Sequence, residues 1–426
     1  MSILPRMIRV RQRFPESPAL DIPRLIRTGL SPLAGSLNPG ARVALAVGSR
    51  GISNLRAIVM AAVEALREVG ASPFIIPAMG SHGGGTPEGQ LAILADYGIT
   101  SEAVGVPIDA TMQVERLGTT SEGFDLCFST PALRADGILV INRIKPHTDF
   151  RGNLGSGLMK MIVVGLGKRV GAANFHAAAS RLGYEEIIRS SARMLLRSAP
   201  IIGGVAILEN QRHQTAKIAV VRPDEIESAE GVLCAEARSL MPRLPLKEID
   251  LLIVDRLGKN ISGTGMDPVV IGRSIHGYSL CEELMEGDPM VRRLFARDLT
   301  SQSRGNAIGI GMADFTTTRL VRAIDWTATT LNALTALSIQ GAKTPLHFET
   351  DREAIDKALG TLALGDSGQA KVVRIPDTLS LDVVEVSEAC CTDLEARGDV
   401  ELLGGPEPMR FGEDGNLSPF FLSPLG

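Results

Sequence analysis

Three short apolar runs in the first half of the chain constrain its fold most. Residues 41–50 (ARVALAVGSR), 73–79 (PFIIPAM) and 138–142 (ILVIN) each have the length and composition of a buried strand. Between the first two, residues 54–69 repeat apolar side chains at helical spacing, and Thr86-Pro87 suits the start of another helix. This alternation of strand and helix predicts an α/β fold, with a mostly parallel sheet flanked by helices.

The chain of 426 residues is too long for one ordinary core, so two domains are expected. A turn-rich stretch at 241–248 precedes a new strand at 249–255, which predicts an N-terminal domain at 1–243 and a smaller C-terminal α/β domain at 244–426. We expect the active site in the cleft between them. Further predicted elements of the second half are strands at 306–315, 372–376 and 381–386, and helices at 318–337 and 351–362.

Composition narrows the function class. The formal net charge is −4 with both signs interspersed, which argues against nucleic acid or an anionic membrane as the main partner. No signal-peptide pattern and no run of eighteen apolar residues is present, so a cytoplasmic location is expected. The five cysteines form no C-x-x-C pair, and neither a zinc ribbon nor a disulfide framework is indicated. Whether the chain forms a homo-oligomer is left open.

The segment from Arg143 to His176, RIKPHTDFRGNLGSGLMKMIVVGLGKRVGAANFH, is the most informative for function. It holds His147, Lys160 and His176 in a run with few acidic charges, and its many glycines let backbone approach a ligand closely. His147 follows the strand predicted at 138–142, and open α/β sheets bind ligands at the carboxyl ends of their strands. The segment is therefore predicted to hold an anionic cofactor and a metal.

Polar groups follow all three predicted strands. The first strand leads to Arg50, whose planar guanidinium suits a carboxylate or phosphate. The second leads to His82 in a glycine-rich loop, where an imidazole can exchange protons near neutral pH. The third leads to His147, and His176 could ligate a borderline-soft metal such as nickel, copper or zinc. In a parallel sheet these loops share one edge.

This set resembles the nickel-pincer-nucleotide racemases and epimerases, the lactate racemase family. That family has an arginine after its first strand, Gly-x-His after the second, and Pro-His, a lysine and a further histidine in the third segment. The spacing of sixteen between the last two is the same, and the resemblance covers roughly residues 1–225. The matching residues here are Arg50, His82, Pro146-His147, Lys160 and His176.

The resemblance implies a cofactor and a role for each residue. Lys160 would carry pyridinium-3,5-bisthiocarboxylic acid mononucleotide through a thioamide, and His176 would ligate its nickel. Arg50 would orient the carboxylate of a 2-hydroxy acid. A hydride would leave C2 while His82 or His147 removes the hydroxyl proton, and return to the opposite face would invert C2. Proteins that synthesise the cofactor would be partners.

Further site residues are predicted with them. Cofactor contacts are expected from Ser49, Gly83, Gly84, Gly155 and Gly157. Lys259, in the glycine-rich loop at 258–268 of the second domain, is the candidate substrate lysine.

The chain departs from the family in places. Gly48 and Ser49 stand where the family has an acidic residue and threonine, and thirteen positions separate His147 from Lys160, more than in lactate racemase itself. The identity of the hydroxy acid therefore stays open.

Two other classes of function remain. A zinc hydrolase could use His82, His147 and His176, although no H-E-x-x-H or nearby carboxylate ligand supports it. A non-catalytic cofactor-binding protein could keep Lys160 and His176 and dispense with the other two histidines.

Overall fold

The computed structural model describes residues 3–48, 51–147, 152–275 and 288–420. The chain divides into two compact units. One unit is Glu16–Met241, and the other joins Met1–Pro15 to Pro242–Gly426. No helix among the described residues is long and apolar enough to cross a membrane.

The strands are β1 (Arg6–Gln12), β2 (Arg42–Val47), β3 (Ser72–Pro77), β4 (Val114–Thr119), β5 (Asp125–Ser129), β6 (Gly137–Arg143), β7 (Ile201–Glu209), β8 (Thr215–Val221), β9 (Glu248–Leu257), β10 (Met290–Leu299), β11 (Phe315–Thr317), β12 (Leu346–Phe348), β13 (Val372–Ile375), β14 (Val383–Ser387), β15 (Val400–Leu402) and β16 (Glu407–Pro408).

The α-helices are α1 (Ile22–Ala34), α2 (Leu55–Glu68), α3 (Pro87–Asp96), α4 (Ser101–Val104), α5 (Thr130–Leu133), α6 (Leu158–Lys160), α7 (Lys168–Leu182), α8 (Tyr184–Ser198), α9 (Ile226–Ser239), α10 (Pro268–Ile271), α11 (Thr318–Arg322), α12 (Trp326–Thr335), α13 (Asp351–Gly360) and α14 (Cys391–Glu395). A π-helix at Met161–Gly165 directly continues α6.

The sheet of the Glu16–Met241 unit has the order β3-β2-β6-β7-β8. Its first four strands are parallel and β8 is antiparallel, which confirms the prediction of a mostly parallel sheet. The strand β2 shows how the two faces are filled. Ala44 and Ala46 join the core beneath α7–α9, whereas Val43 and Leu45 join the core beneath α1–α3, because successive side chains point to opposite faces. The α/β fold is confirmed.

The other unit has a mixed sheet of order β12-β11-β10-β9-β13-β14-β1-β15, with β16 also paired to β1. The strand β1 pairs antiparallel with β14 and β15, and its apolar residues Ile8 and Val10 lie in the core of this unit. The prediction assigned residues 1–243 to one domain. In the structure β1 instead belongs to the other unit, because β14, β15 and β16 pair with it there and satisfy its backbone.

Local predictions in the second half need three corrections. Of the strand predicted at 306–315, residues 306–314 form turns and a short 3₁₀ helix and only Phe315 is in a strand, because Gly309 (φ +97°) and Gly311 lie against backbone carbonyls where a side chain would overlap them. The strand β10 was not predicted. The helix predicted at 318–337 is two helices, since Asp325 caps a new one by accepting a hydrogen bond from the Ala328 N–H.

Candidate functional site

The segment 157–165 crosses the carboxyl ends of three parallel strands. Near the end of β6, Asn142 donates a hydrogen bond through Nδ2 to the Gly157 carbonyl at 3.0 Å. After β2, Gly48 leaves no room for a side chain beside Asn142 and Met161. After β3, the Gly80 N–H donates to the Gly165 carbonyl at 3.2 Å. The three strand ends therefore converge on the segment that carries Lys160, as the sequence predicts.

Lys160 is the last residue of α6, immediately before the π-helix. The hydrogen bond that defines this wider turn runs from the Leu166 N–H to the Met161 carbonyl at 2.8 Å. Such turns are rare and occur frequently at functional sites, because they redirect side chains without ending the helix. Here the change of helix type begins one residue after the predicted cofactor lysine.

Lys145, shortly before His147, pairs with Ser156, shortly before Lys160. Lys145 and Ser156 exchange backbone hydrogen bonds of 2.9 and 2.8 Å. Gly155 permits this approach, because a Cβ there would overlap the Lys145 carbonyl oxygen. This pairing explains how His147 and Lys160, thirteen positions apart, can bring their side chains together.

The Lys160 Nζ lies 3.0 Å from His147 Nε2. An ammonium can only donate, so with Lys160 charged the Nε2 atom accepts and the ring proton is on Nδ1. His147 is buried and Lys160 is half-buried. The structure thus brings together two of the predicted residues.

Tyr184, the first residue of α8, contacts both His147 and Lys160. Its ring centroid lies 4.4 Å from that of His147 and 5.7 Å from Lys160 Nζ. Its hydroxyl donates to the Gly155 carbonyl at 2.8 Å. Phe175 meets the rings of both Tyr184 and His176 edge-on, with centroid distances of 5.5 and 5.7 Å. These aromatic contacts link His147 to His176.

His176 lies on α7 near Lys160. Burial, with a further contribution from the positive charge of Lys160, lowers the pKa of His176 to about 4. The imidazole is therefore neutral at physiological pH and keeps a lone pair, which is the form that ligates metals. Among the described residues, no group of three or more His, Cys, Asp or Glu side chains is arranged to hold a metal.

His82 lies in the loop after β3, two residues beyond the bond between Gly80 and Gly165. Gly83 packs against the backbone of Gly89 at the start of α3, whereas Gly84 (φ +69°) has open space where a side chain would project. A backbone with open space beside it is available to a ligand, so Gly84 meets one requirement of its predicted role.

Two predicted residues, Ser49 and Arg50, lie outside the described residues. Lys259 lies in the other unit, where its Nζ donates to the Gly263 carbonyl at 2.7 Å and to Asn332 Oδ1 at 2.8 Å. These two hydrogen bonds stabilise the conformation of the loop at 258–268. The substrate role of Lys259 stays a prediction.

The sequence analysis missed residues that shape the site. Gly155 and Gly157, predicted as cofactor contacts, lie against protein groups: the Lys145 backbone and the carboxyl of Glu230. Glu230 and Tyr184 had no predicted role. For Glu230 a signal existed, because it occupies the apolar face of α9 together with Ile226, Leu233 and Ala237. An acidic residue at such a position needs a buried partner.

The comparisons with known proteins agree with this geometry. Residues 16–185 match the family model described as the lactate racemase N-terminal domain. The structure is similar to that of the lactate racemase apoprotein from Thermoanaerobacterium thermosaccharolyticum, with a TM-score of 0.51 and 14% identity over 87% of this chain and 93% of that chain. At this identity the likeness shows the fold.

Among the curated proteins, none matches the chain. Residues 16–185 match the lactate racemase N-terminal domain, which confirms the predicted resemblance to the lactate racemase family.

Proposed function

We propose that the protein is a racemase or epimerase that inverts C2 of a 2-hydroxy acid with a nickel-pincer nucleotide on Lys160. A lactate racemase-like family implies racemase or epimerase activity. The observation that carries the finer proposal is the contact between Lys160 Nζ and His147 Nε2 at 3.0 Å, with a neutral His176 beside Lys160. A nucleophilic amine, an acid/base imidazole and a metal-binding imidazole meet at the carboxyl edge of a parallel sheet.

The residues present fit the cofactor. Lys160 supplies the amine for a thioamide link, and the burial that keeps His176 neutral suits a nickel ligand. When bound, the nickel-pincer nucleotide supplies an acceptor for the hydride that leaves C2. Acylation of Lys160 would also remove a positive charge from beside both histidines.

His147 and His82 are the proposed acid/base groups. Each would take the hydroxyl proton of one enantiomer and return a proton to the other, because a base is needed on each face of the substrate. Tyr184 fixes the ring of His147 through the 4.4 Å contact, which supports a defined direction for its Nε2. Arg50 would bind the carboxylate.

The two alternative functions are less well supported. A zinc hydrolase needs three protein ligands around one ion, and the described histidines form no such group. A non-catalytic cofactor-binding protein would need no acid/base group, yet His147 lies within hydrogen-bonding distance of the candidate cofactor lysine.

The first experiment measures intact mass and nickel content of the protein from a host that makes the cofactor. We expect nickel near one per chain and an adduct at Lys160. Lys160→Ala should abolish the adduct, and His176→Ala should mainly release the metal. Lys217→Ala is the matched control, because Lys217 lies on the surface of the same unit, paired with Glu236. Zinc without an adduct on any lysine contradicts the proposal.

A further inference from the structure

The proposed function leaves one buried ionisable group next to the Lys160 segment without a role. Glu230, on α9, is 1% exposed, and its Oε2 accepts a hydrogen bond from the Met159 N–H at 2.8 Å. Within the described residues, its Oε1 has no hydrogen-bond partner. The carboxyl therefore bonds, through Oε2, to the backbone one residue before Lys160.

Gly157 makes room for this carboxyl. A Cβ at Gly157 would overlap Glu230 Oε1 and lie 2.6 Å from its Cδ. On the other side of the turn, Asn142 Nδ2 donates to the Gly157 carbonyl at 3.0 Å. Two buried polar side chains, Glu230 from α9 and Asn142 from β6, thus fix the turn from Gly157 to Lys160.

Stability alone does not account for Glu230. Its neighbours on the same face of α9, Ile226 and Leu233, are buried apolar residues. A buried carboxyl is costly unless its oxygens are fully hydrogen-bonded, and one oxygen here is not. Consistent with that cost, burial raises the pKa of Glu230 to about 7. An apolar side chain would pack at this position without the cost, but it could not hold the Met159 N–H.

We propose that Glu230 is a positioning residue for Lys160, which it holds against His147 through the Met159 N–H. The helix α6 has a single turn, so fixing its first peptide groups fixes the direction in which Lys160 leaves the backbone. The importance of this direction for catalysis rests on the proposed role of Lys160; the positioning itself does not.

The test uses the protein without cofactor and measures how fast acetic anhydride modifies Lys160. Peptide mass spectrometry gives the rate relative to the exposed Lys343 of the same chain. Glu230→Leu should free Lys160 from His147 and raise its relative rate roughly three- to tenfold, the factor that corresponds to one ordinary hydrogen bond. Hydrogen exchange at the Met159 amide should accelerate as well.

Two matched variants separate positioning from general damage. Glu230→Gln keeps an oxygen acceptor for the Met159 N–H, so Lys160 should react within about twofold of wild type. Glu227→Gln lies on the same helix but breaks ion pairs to Arg189 and Arg193 instead. It too should leave Lys160 unchanged.

Gly157→Ala gives a second route should Glu230→Leu not fold. Its new Cβ displaces the carboxyl, so Lys160 should again react faster. In the Glu230→Ala background, Gly157→Ala should raise the modification rate of Lys160 little further, because no carboxyl remains for the new Cβ to displace. Unchanged modification of Lys160 in both Glu230→Leu and Gly157→Ala overturns the proposal. Absence of a Lys160 adduct from the cofactor-making host would overturn the proposed function alone.

Discussion

The ring of Tyr184 lies 4.4 Å from the ring of His147, with their planes inclined by 44°. The same tyrosine donates its hydroxyl proton to the Gly155 carbonyl, in the loop that leads from His147 to Lys160. One side chain therefore fixes both the imidazole and the loop beside it. The two contacts can be separated by substitution, because only the second needs the hydroxyl.

Tyr184→Phe should keep the ring contact and lose the hydrogen bond, at a cost of about 1 kcal/mol in the free energy of unfolding. Tyr184→Leu should lose both and cost roughly 2–3 kcal/mol. Urea unfolding measures the stability. The proton signals of His147 report the contact itself, since the ring current of Tyr184 shifts them. The shift should survive in Tyr184→Phe and disappear in Tyr184→Leu; its survival in both would contradict the packing role.

The buried carboxyl of Glu230 predicts an unusual dependence of stability on pH. Burial raises the pKa of Glu230 from 4.5 to about 7. Between these values the unfolded chain has lost the proton and the folded chain retains it, so the free energy of unfolding falls as pH rises. The full effect is about 3 kcal/mol, at 1.36 kcal/mol per pKa unit.

Glu230→Gln cannot titrate and should lack this fall, which urea unfolding from pH 4 to pH 8 would measure. Glu227→Gln is the control with the opposite sign. Hydrogen bonds from Arg193 and Arg189 lower the pKa of Glu227, so its contribution is lost as pH falls. If the free energy of unfolding varied with pH in the same way in wild type and Glu230→Gln, the pKa of Glu230 would not be raised in the folded protein.

A second buried charge, Lys168, ties the start of α7 to the end of β3. It is fully buried, its Nζ donates to the Pro77 carbonyl at 2.8 Å, and its backbone is left-handed with φ +53°. Burial lowers the pKa of Lys168 from 10.5 to about 8. Above pH 8 the folded chain releases this proton before the unfolded chain does, so the penalty for burying the charge disappears as pH rises.

Wild type should therefore gain about 3 kcal/mol of stability relative to Lys168→Met between pH 8 and pH 10.5. Methionine has a similar shape and does not titrate. Lys217→Met, at the surface, should follow wild type throughout. Denaturant unfolding at each pH measures the difference in free energy of unfolding between wild type and Lys168→Met. A difference that stays constant with pH would contradict the lowered pKa of Lys168.

The parallel sheet could be predicted because its strands are continuous apolar runs. The strand β10 (MVRRLFARDL) could not, although it also lies inside a sheet between β9 and β11. Two of its three arginines are paired with acidic groups from elsewhere in the fold: Arg292 with Asp250, and Arg297 with Asp351. Because those partners are distant in sequence, the run resembles an exposed polar segment.

In the candidate site, too, some residues could be predicted from the sequence and others could not. Lys160, His147 and His176 share one segment, and the resemblance to the lactate racemase family predicts their roles. The groups that orient them come from other elements: Asn142 from β6, Tyr184 from α8 and Glu230 from α9. Which helix packs on the turn at 157–160 depends on tertiary structure, so the sequence predicts candidate reactive groups but not the residues that support them.

Lys259 tests the prediction that the second unit contributes a substrate contact. Lys259→Ala should lower turnover by one order of magnitude or more, since one charged contact is worth about 1.5–3 kcal/mol, while nickel content stays constant. Asn332→Ala is the control, because it removes a hydrogen-bond partner of Lys259 and leaves the ammonium. It should stay within about twofold of wild type. Equal effects of both variants would indicate that Lys259 only shapes its loop.

Deuterium distinguishes hydride transfer from proton abstraction at C2. A conventional racemase removes the C2 proton next to a carboxylate, which requires strong stabilisation of the resulting anion, and exchanges it with solvent. In the proposed reaction the C2 hydrogen leaves as hydride, which does not exchange, and His82 and His147 move only the hydroxyl proton. Turnover in D₂O should leave C2 free of deuterium, and substrate deuterated at C2 should keep its label and react more slowly.

The two histidines are tested in the same assay. His82→Ala and His147→Ala should each lower the rate by about 10²–10⁴, the usual contribution of one acid/base group, with the Lys160 adduct retained. His213→Asn is the matched control, since His213 lies in the turn between β7 and β8 and has no predicted role. A cofactor-binding protein without catalysis would show no turnover in wild type and would retain the Lys160 adduct in every variant. Entry of solvent deuterium at C2 during turnover would exclude hydride transfer, because only a C2 carbanion exchanges with water.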